Sequence, residues 1–449
     1  MNRHRPDRRR PTIRIRPFAA WRFNPAIVGD PADCFSPPYD QFDDALVARL
    51  LAQSPYNIAR IVVAPAGGGP DPTGEHYRRA NLALETWLAQ GVLVPDRGPA
   101  VYPYSQTYSV GGRKLTRRGF IALGDVRDTG LFSHEETHSH VREDRAQLRL
   151  ATGADFGLIF MIYSDPAQAI DRILRDCEEG EPMAQAEQPD GSLHRLYRCG
   201  DPQRVAKILA LMEARECVIA DGHHRTAAAR DTWERKHDDR WANAMMAFFN
   251  AEAPGMTVLP IHRTITHVSH ADIDQVIERV AEFFDVALIP MPDVPFDERA
   301  SFLLGLVAER ARNGRTAFAM ISLPTEIGLL IEAGRAQMSQ WPWPADLPEA
   351  CRALPTAVFE TGVLRAAFGF SDDEIDHSER IGYPKDAPAV IEAVRGGQVQ
   401  LGFLLPPTPL DAIFEVARLR RNLPRKSTFF FPKLLTGLTV HRIESGPSD

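Results

Sequence analysis

The chain has 449 residues, more than one hydrophobic core ordinarily serves, so we expect two or three domains. Its 44% hydrophobic and 25% charged residues are typical of a globular protein and exclude a fibrous or largely disordered chain. The net charge of -7 makes nucleic acid an unfavoured partner, because such binders use a strongly basic face. The apolar runs are far shorter than the roughly 20 residues that cross a bilayer, so we expect no membrane partner.

The N-terminus and the cysteines bear on the cellular compartment. Residues 1–11 are basic with no apolar segment behind them, which predicts a disordered tail rather than a secretory signal. A nucleic-acid-contacting arm is the less favoured alternative. The five cysteines are odd in number and form no CxxC pair, which favours reduced thiols in a cytoplasmic protein. Cys217 lies in an apolar strand pattern and is predicted to be a core residue.

The elements alternate between strands and helices along the whole chain, which predicts a mixed α/β fold (α+β mixed). We expect a turn at residues 36–40 whose Asp40 caps a following helix, a second helix near 76–90, and a hairpin at Gly111-Gly112. Polar residues 177–203 are predicted to be a loop, and residues 341–344 a stiff surface loop. The expected regions are a tail at 1–11, an N-terminal α/β region at 12–130, a central region at 131–268 and a mixed α/β C-terminal region at 269–449.

The most informative motif is DGHHR at residues 221–225. An apolar strand pattern ends at Asp221, Gly222 permits a tight turn, and an Ala-rich helix follows. The first N–H groups of a helix lack helical partners and carry partial positive charge. A phosphate at this turn would therefore meet those groups together with His223, His224 and Arg225. A structural turn with an exposed basic cluster, and a metal site, are the alternatives.

A second polar motif, HEETH, occupies residues 134–138 and is followed by Arg142 and Arg145. It matches the HExxH zinc-protease pattern formally, but no apolar helix surrounds it. We therefore expect no stoichiometric zinc and no metal ligand here. The favoured interpretation is a loop that offers Glu135 as a general base, with Arg142 or Arg145 binding phosphate. A solvated loop without function is the alternative.

A third segment, residues 424–433, combines basic and aromatic residues. Lys426-Ser427 resembles the end of a P-loop, but the upstream glycine is absent, so a P-loop is rejected. The pattern predicts packed phenylalanines with Lys426 and Lys433 exposed. Lys426 and Lys433 are candidates for lining an anionic pocket.

The order of these motifs resembles a known family. SPPYD at 36–40, HExT at 134–137 with Asp144-Arg145, ADGHHR at 220–225 and the KST and PKL runs at 426–434 are similar to the bacterial and archaeal family called domain of unknown function one thousand and fifteen. Its members are often labelled ParB-like. The strand–DGHHR–helix unit also resembles the ParB/sulfiredoxin superfamily and, within it, the free serine kinases. This resemblance implies a ParB/sulfiredoxin-like core.

The resemblance also implies a function. It suggests a kinase or phosphotransferase that uses a nucleotide, ATP or ADP with Mg²⁺, and acts on a small-molecule substrate such as free serine. Asp221 would position magnesium or the acceptor, and Glu135 would accept the hydroxyl proton. The transferring phosphate would be held by His223, His224 and Arg225. Gly222, His223, Arg225, Arg145 and Lys426 are the expected nucleotide-binding residues. A ParB-like nucleotide-binding regulator that contacts DNA or a protein, and thirdly a zinc hydrolase, are the alternatives. The oligomeric state is open.

Overall fold

The computed structural model describes residues 13–65, 69–134, 137–213, 215–323, 327–345 and 347–443. The strands are β1 (Ile15–Arg16), β2 (Trp21–Phe23), β3 (Leu93–Pro95), β4 (Tyr102–Val110), β5 (Arg113–Asp125), β6 (Leu131–Phe132), β7 (Ala154–Asp155), β8 (Ile159–Tyr163), β9 (Ala184–Glu187), β10 (Leu193–Leu196), β11 (Cys217–Asp221), β12 (Asn243–Asn250), β13 (Thr257–Leu259), β14 (Arg263–Ile265), β15 (Asp285–Pro290), β16 (Arg315–Ile321), β17 (Ile327–Gly334), β18 (Ile381–Gly382), β19 (Leu401–Leu404), β20 (Phe429–Phe431) and β21 (His441–Arg442).

The helices complete the mixed α/β class that the sequence predicted, and this class is confirmed. The α-helices are α1 (Pro25–Val28), α2 (Asp44–Gln53), α3 (Ala59–Val62), α4 (Glu75–Ala89), α5 (Ser139–Thr152), α6 (Ala169–Cys177), α7 (Pro202–Met212), α8 (His223–Lys236), α9 (His270–Phe283), α10 (Phe296–Arg312), α11 (Arg335–Met338), α12 (Pro355–Phe359), α13 (Asp372–His377), α14 (Ala387–Arg395) and α15 (Leu410–Arg418). A π-helix spans Glu360–Ala367.

The chain divides into two compact units. The first unit comprises Met1–Thr257 and Pro432–Asp449, and the second comprises Val258–Phe431. The first unit therefore takes its last residues from the far end of the chain. The regional boundaries expected from the sequence, after residues 11, 130 and 268, stay predictions.

A nine-stranded mixed sheet forms the centre of the first unit. Its strand order is β6-β11-β8-β12-β5-β4-β10-β9, with β1 paired to β5. The β6/β11 and β8/β12 pairs are parallel, and the other pairs are antiparallel. Along β12 and β8, alternate residues such as Phe248 and Met161 enter a large apolar core, while Phe249 and Phe160 face the opposite side. That opposite face carries the polar groups described below.

The second unit has an antiparallel sheet covered on both faces. Its strand order is β15-β17-β16-β19-β14-β18. On β16, Phe318 and Met320 belong to one apolar cluster, whereas Ala317 and Ala319 belong to another. Because successive strand residues point to opposite faces, both faces are buried. Helix α9 supplies residues to the first cluster, and α10 and α14 supply residues to the second.

Local patterns predicted several elements correctly and others wrongly. The Gly111-Gly112 hairpin is confirmed, with φ values of 56° and 73° that suit a tight turn between β4 and β5. Asp43, not Asp40, caps α2. The predicted loop 177–203 was wrong, since this segment contains β9 and β10, two short strands whose polar residues resemble those of a loop. Trp341 is also buried, with its ring 5.0 Å from Phe284, rather than on the surface.

Glu360 gives the second unit a pH-dependent contribution to stability. Burial raises its pKa to about 7, although the charges of Arg263 and Arg365 oppose the shift. Because the folded state holds the proton of Glu360 more tightly than the unfolded state does, the free energy of unfolding falls as pH rises from the unfolded pKa to about 7. Glu360→Gln lacks this titrating group. We therefore expect its free energy of unfolding, measured relative to the wild type, to be higher at about pH 8 than at about pH 5, by at most about 3 kcal/mol.

Urea unfolding of the full chain at the two pH values measures this gain. Glu298→Gln, on the exposed side of α10, is the matched control. An equal pH dependence in Glu360→Gln and the wild type would contradict the assigned effect.

Candidate functional site

The DGHHR motif forms a strand–turn–helix junction in the first unit. Strand β11 ends at Asp221 and helix α8 begins at His223, so the predicted strand end and helix start are confirmed. Gly222 has a φ of 92°, in the left-handed region that favours glycine. A Cβ atom there would lie 3.1 Å from the Arg225 guanidinium, so a side chain has little room. Gly222 is the N-cap residue of this 14-residue helix and, as a glycine, supplies no side chain to cap it.

Asp221 is held between two cations at this turn. Its Oδ1 atom accepts from Lys433 Nζ at 2.7 Å, and its Oδ2 atom accepts from Arg225 at 2.9 Å. Burial raises the pKa of the Asp221 carboxyl, but the charges of Lys433 and Arg225 outweigh burial and hold the pKa well below its ordinary value. Asp221 is therefore a carboxylate with both oxygens engaged.

Arg225 points back toward the sheet. Besides Asp221, its guanidinium donates to the carbonyl of Leu158, at the start of β8. In this arrangement Arg225 braces the turn. Its expected role in binding phosphate stays a prediction.

Lys433 was predicted to be exposed, and this was wrong. Its side chain is 13% exposed because its amine contacts Asp221. Gln106 Nε2 donates to the Lys433 carbonyl at 2.9 Å, and Arg117 donates to the Pro432 carbonyl at 2.6 Å. Both side chains come from the paired strands β4 and β5, at directly opposed positions. The sheet thus fixes the backbone that delivers Lys433 to the turn.

Arg117 is a buried cation on this face of the sheet. Its guanidinium carbon lies 4.7 Å from the ring centre of Phe160 and 4.9 Å from that of Phe249. Its Nε atom donates to Gln106 Oε1 at 3.0 Å. Burial lowers the pKa of Arg117 to about 10, so it stays protonated at neutral pH.

The residues that flank Glu135 and Glu136 contact the two histidines of the turn. The His134 and His223 ring centres are 4.7 Å apart in an edge-to-face arrangement. The backbone N–H of His138 donates to His224 Nε2 at 3.0 Å, so that nitrogen carries no proton in this arrangement. Glu135 itself lies outside the described residues, and its expected distance of within roughly 10 Å from the His224 ring stays a prediction.

His134 and His138, the first and last residues of the HEETH motif, both lie outside the helices. Helix α5 begins at Ser139, after His138. The i, i+4 spacing on a helix that a zinc protease uses is therefore missing. Within the part of the chain that the structure describes, no three His, Cys, Asp or Glu side chains group as metal ligands. The expected absence of bound zinc stays a prediction.

Tyr39 of the SPPYD motif contacts Arg145 of α5. The Arg145 guanidinium lies 4.3 Å from the Tyr39 ring centre and also donates to Asp144 and to the Val62 carbonyl. Burial raises the pKa of Tyr39 to about 12, against the opposing charge of Arg145. Tyr39, Arg145 and Arg225 line one cavity of about 70 Å³, enough for about two waters but not for a nucleotide. The role of Arg145 as a phosphate ligand stays a prediction.

A larger groove lies beside the turn. Ser133, Thr137, Arg142, His223 and Thr226 are among the residues that line a cavity of about 490 Å³. Ligand pockets commonly have volumes of about 300 to 1,000 Å³. Arg142 pairs with Asp231 of α8 at 2.7 Å, which joins the two walls of this groove.

Another cavity, of about 620 Å³, lies where Lys433 meets the SPPYD segment. Pro37, Pro38, Arg49, His194 and Lys433 are among its lining residues. Burial lowers the pKa of His194 to about 3, so its imidazole is neutral, and Nδ1 lies 2.6 Å from the Tyr104 hydroxyl. The structure therefore gives Lys433 contact with both Asp221 and a pocket large enough for a small molecule.

The candidate residues that the structure describes divide into two groups by position. The five residues of the DGHHR turn lie together, and Arg145 adjoins them through the small cavity. Lys426 belongs to the second unit and has a left-handed φ of 54°. Sequence reasoning missed Tyr39, Arg117 and the contact of Lys433 with Asp221. The sequence did contain one signal for these contacts, because SPPYD and PKL belong, with DGHHR, to the motifs on which the family resemblance rests.

Comparison with known proteins identifies the family. A model described as "Protein of unknown function (DUF1015)" matches residues 15–340. The chain belongs to this family. No curated protein matches the chain in sequence. Within the described residues, no helix has the length and apolar character that crossing a membrane requires.

Several solved structures show a distant likeness. A free serine kinase in complex with AMP has 12% identity and a TM-score of 0.34, covering 71% of this chain and 92% of the other. A conserved hypothetical protein from Pyrococcus furiosus has 14% identity and a TM-score of 0.33, covering 71% and 95%. A C-terminally truncated SbnI from Staphylococcus aureus has 9% identity and a TM-score of 0.35, covering 73% and 90%. Likenesses this weak assign neither fold nor activity to the chain.

Proposed function

We propose that the first unit is a nucleotide-dependent phosphotransferase that acts on a small molecule, with a free hydroxy-amino acid such as serine as the acceptor. The observation that carries the proposal is the contact of Lys433 with Asp221, which directly precedes a helix whose N-cap residue is Gly222. A lysine and a helix N-terminus together favour a phosphate group. The nearby groove of about 490 Å³ supports a ligand of moderate size.

The residues at the turn have distinct roles in this proposal. The first turn of α8 offers backbone N–H groups to phosphate, and His223 and His224 border the same position. Lys433 supplies a compact positive charge, which Asp221 holds in place. Both Asp221 oxygens already contact cations, so Asp221 acts as a positioning residue rather than as a direct magnesium ligand.

Glu135 is the proposed general base. Its neighbours His134 and His138 contact His223 and His224 respectively, which supports a position near the phosphate-binding turn. ATP or ADP, with Mg²⁺ bound to its phosphates, would supply the phosphoryl group. The chain itself would hold the phosphates and accept the hydroxyl proton, since phosphoryl transfer depends mainly on positioning and charge neutralisation.

The phosphate-binding role of the turn is tested by His224→Ala. We expect this variant to bind ADP or ATP at least about tenfold more weakly, because a lost charge-assisted contact costs about 1.5–3 kcal/mol. Isothermal titration calorimetry of the full chain with Mg²⁺ and each nucleotide measures the affinity. His237→Asn, at the exposed opposite end of α8, is the matched control. Equal nucleotide affinity in His224→Ala and the control would remove His224 from the binding site.

A further inference from the structure

Two cysteines that lie far apart in the sequence meet in the first unit. Cys177 is the last residue of α6, and Cys199 follows β10. Their Sγ atoms are 2.7 Å apart, although 22 positions separate the two residues. The sulfur atoms of a disulfide lie about 2.03–2.05 Å apart, so only a small movement would bring these two to bonding distance.

The surroundings hold both cysteines in place and distinguish one from the other. Cys199 exchanges backbone hydrogen bonds with Val101, which fixes it beside the start of β4. Cys177 is 8% exposed and Cys199 is 2% exposed, so Cys177 is the more accessible thiol. The Arg204 guanidinium lies 4.0 Å from Cys177 Sγ and also contacts the Asp176 carbonyl.

The contacts of Cys177 with Cys199 and with Arg204 favour its thiolate form. The Cys199 thiol lowers the pKa of Cys177, burial opposes this shift, and Arg204 lowers the pKa further. The pKa of Cys199 is raised, first by its hydrogen bond to Cys177 and then by burial. Because the thiolate is the reactive form, Cys177 is the attacking sulfur and Cys199 is the resolving one.

We propose that Cys177 and Cys199 form a redox-active dithiol, which a hydroperoxide oxidises reversibly to an intrachain disulfide. With hydrogen peroxide, the Cys177 thiolate attacks one oxygen, and the O–O bond breaks. The released hydroxide takes a proton and leaves as water, and Cys177 becomes a sulfenic acid. The Cys199 sulfur then attacks Cys177 Sγ, and the S–S bond forms as the S–O bond breaks. A second water leaves with the Cys199 proton, so the two thiols lose two electrons that reduce the peroxide.

The bond would join two parts of the first unit. It would connect the C-terminus of α6 to the chain that leaves the β9–β10 hairpin. Ser192 and His194 of this hairpin line the cavity of about 620 Å³ that also contains Lys433. Cys199 therefore follows β10, the strand whose His194 lines that cavity.

The test uses the full chain, reduced with dithiothreitol, freed of reductant, and then treated with hydrogen peroxide. Denaturing alkylation, intact mass measurement and peptide mapping follow. We expect the protein to lose the mass of two hydrogen atoms per chain and to leave three of its five cysteines open to alkylation. Mapping should find the peptide of Cys177 joined to that of Cys199, and dithiothreitol should reverse the change.

Two variants separate the roles of the cysteines. Cys199→Ser should accumulate a sulfenic acid at Cys177 that dimedone labels, because the resolving thiol is missing. Cys34→Ser removes a buried cysteine that is hydrogen-bonded to Ser54, and this variant should form the Cys177–Cys199 disulfide as the wild type does. If all five cysteines of the peroxide-treated wild type remain open to alkylation, or if the bond joins other cysteines, the proposal is overturned. This outcome needs only the wild type, and nucleotide binding plays no part in it.

Discussion

Lys433→Met should lower nucleotide affinity at least about tenfold and lower the free energy of unfolding by about 2–3 kcal/mol. Methionine keeps much of the length of the side chain but removes the charge that meets Asp221 at 2.7 Å. Breaking a buried ion pair on one side usually costs about 3–5 kcal/mol, and Arg225, which still pairs with Asp221, reduces that cost. Calorimetric titration and urea unfolding measure the two effects.

The acid dependence of stability provides a further readout of Lys433→Met. Because the folded pKa of Asp221 is depressed, its stabilising contribution is present above its unfolded pKa and is lost as pH falls through the folded value. The variant should lose less of its stability on acidification than the wild type does. Lys207→Met, on the exposed side of α7, is the control. Identical stability and affinity in Lys433→Met and Lys207→Met would contradict the proposed contact and its role.

Glu135→Gln should keep its nucleotide affinity and lose turnover by about a hundredfold or more, which is the usual scale for a lost general base. His224→Ala should show the opposite pattern, with weakened nucleotide binding as the primary defect. Calorimetry and steady-state kinetics separate these two effects. Glu136→Gln changes the adjacent carboxylate and is the matched control. Normal turnover in Glu135→Gln would remove Glu135 from the mechanism and favour a nucleotide-binding regulator over an enzyme.

The sequence predicted the strand–turn–helix structure of the DGHHR motif well because its signals are local. An apolar run, a glycine and an Ala-rich run are adjacent, and they fold into β11, the left-handed Gly222 and α8. The Gly111-Gly112 hairpin was predictable for the same reason. Short-range backbone preferences fixed both structures without help from distant residues.

Contacts between distant residues could not be predicted in this way. Lys433 lies 212 positions from Asp221, and no local pattern indicates that the chain returns to the first unit at Pro432. Lys426, only seven positions earlier, belongs to the second unit, so one basic segment supplies lysines to both units. The direction of Arg225 depends likewise on the Leu158 carbonyl, which lies directly before β8 and 67 positions earlier in the chain.

The contact between Cys177 and Cys199 is another that local sequence patterns did not predict. The odd number and the absence of CxxC indicated reduced thiols but gave no sign that two of them meet. The fold places Cys177 and Cys199 in contact, because the end of α6 meets the chain that follows β10. The β9–β10 hairpin that makes this possible was itself predicted as a loop, since its strands are short and polar.

The central claim is that the DGHHR turn binds a nucleotide whose phosphate is transferred to a small hydroxyl compound. The most direct measurement is mass spectrometry of full-length protein incubated with Mg²⁺, ATP or ADP, and a panel of free amino acids and other hydroxylated metabolites. Our account predicts a phosphorylated product with the wild type, most strongly with serine or a similar hydroxy-amino acid, and little product with Glu135→Gln or Lys433→Met. The absence of a phosphorylated product with every nucleotide and acceptor, from protein that binds nucleotide, would contradict the assignment as a phosphotransferase.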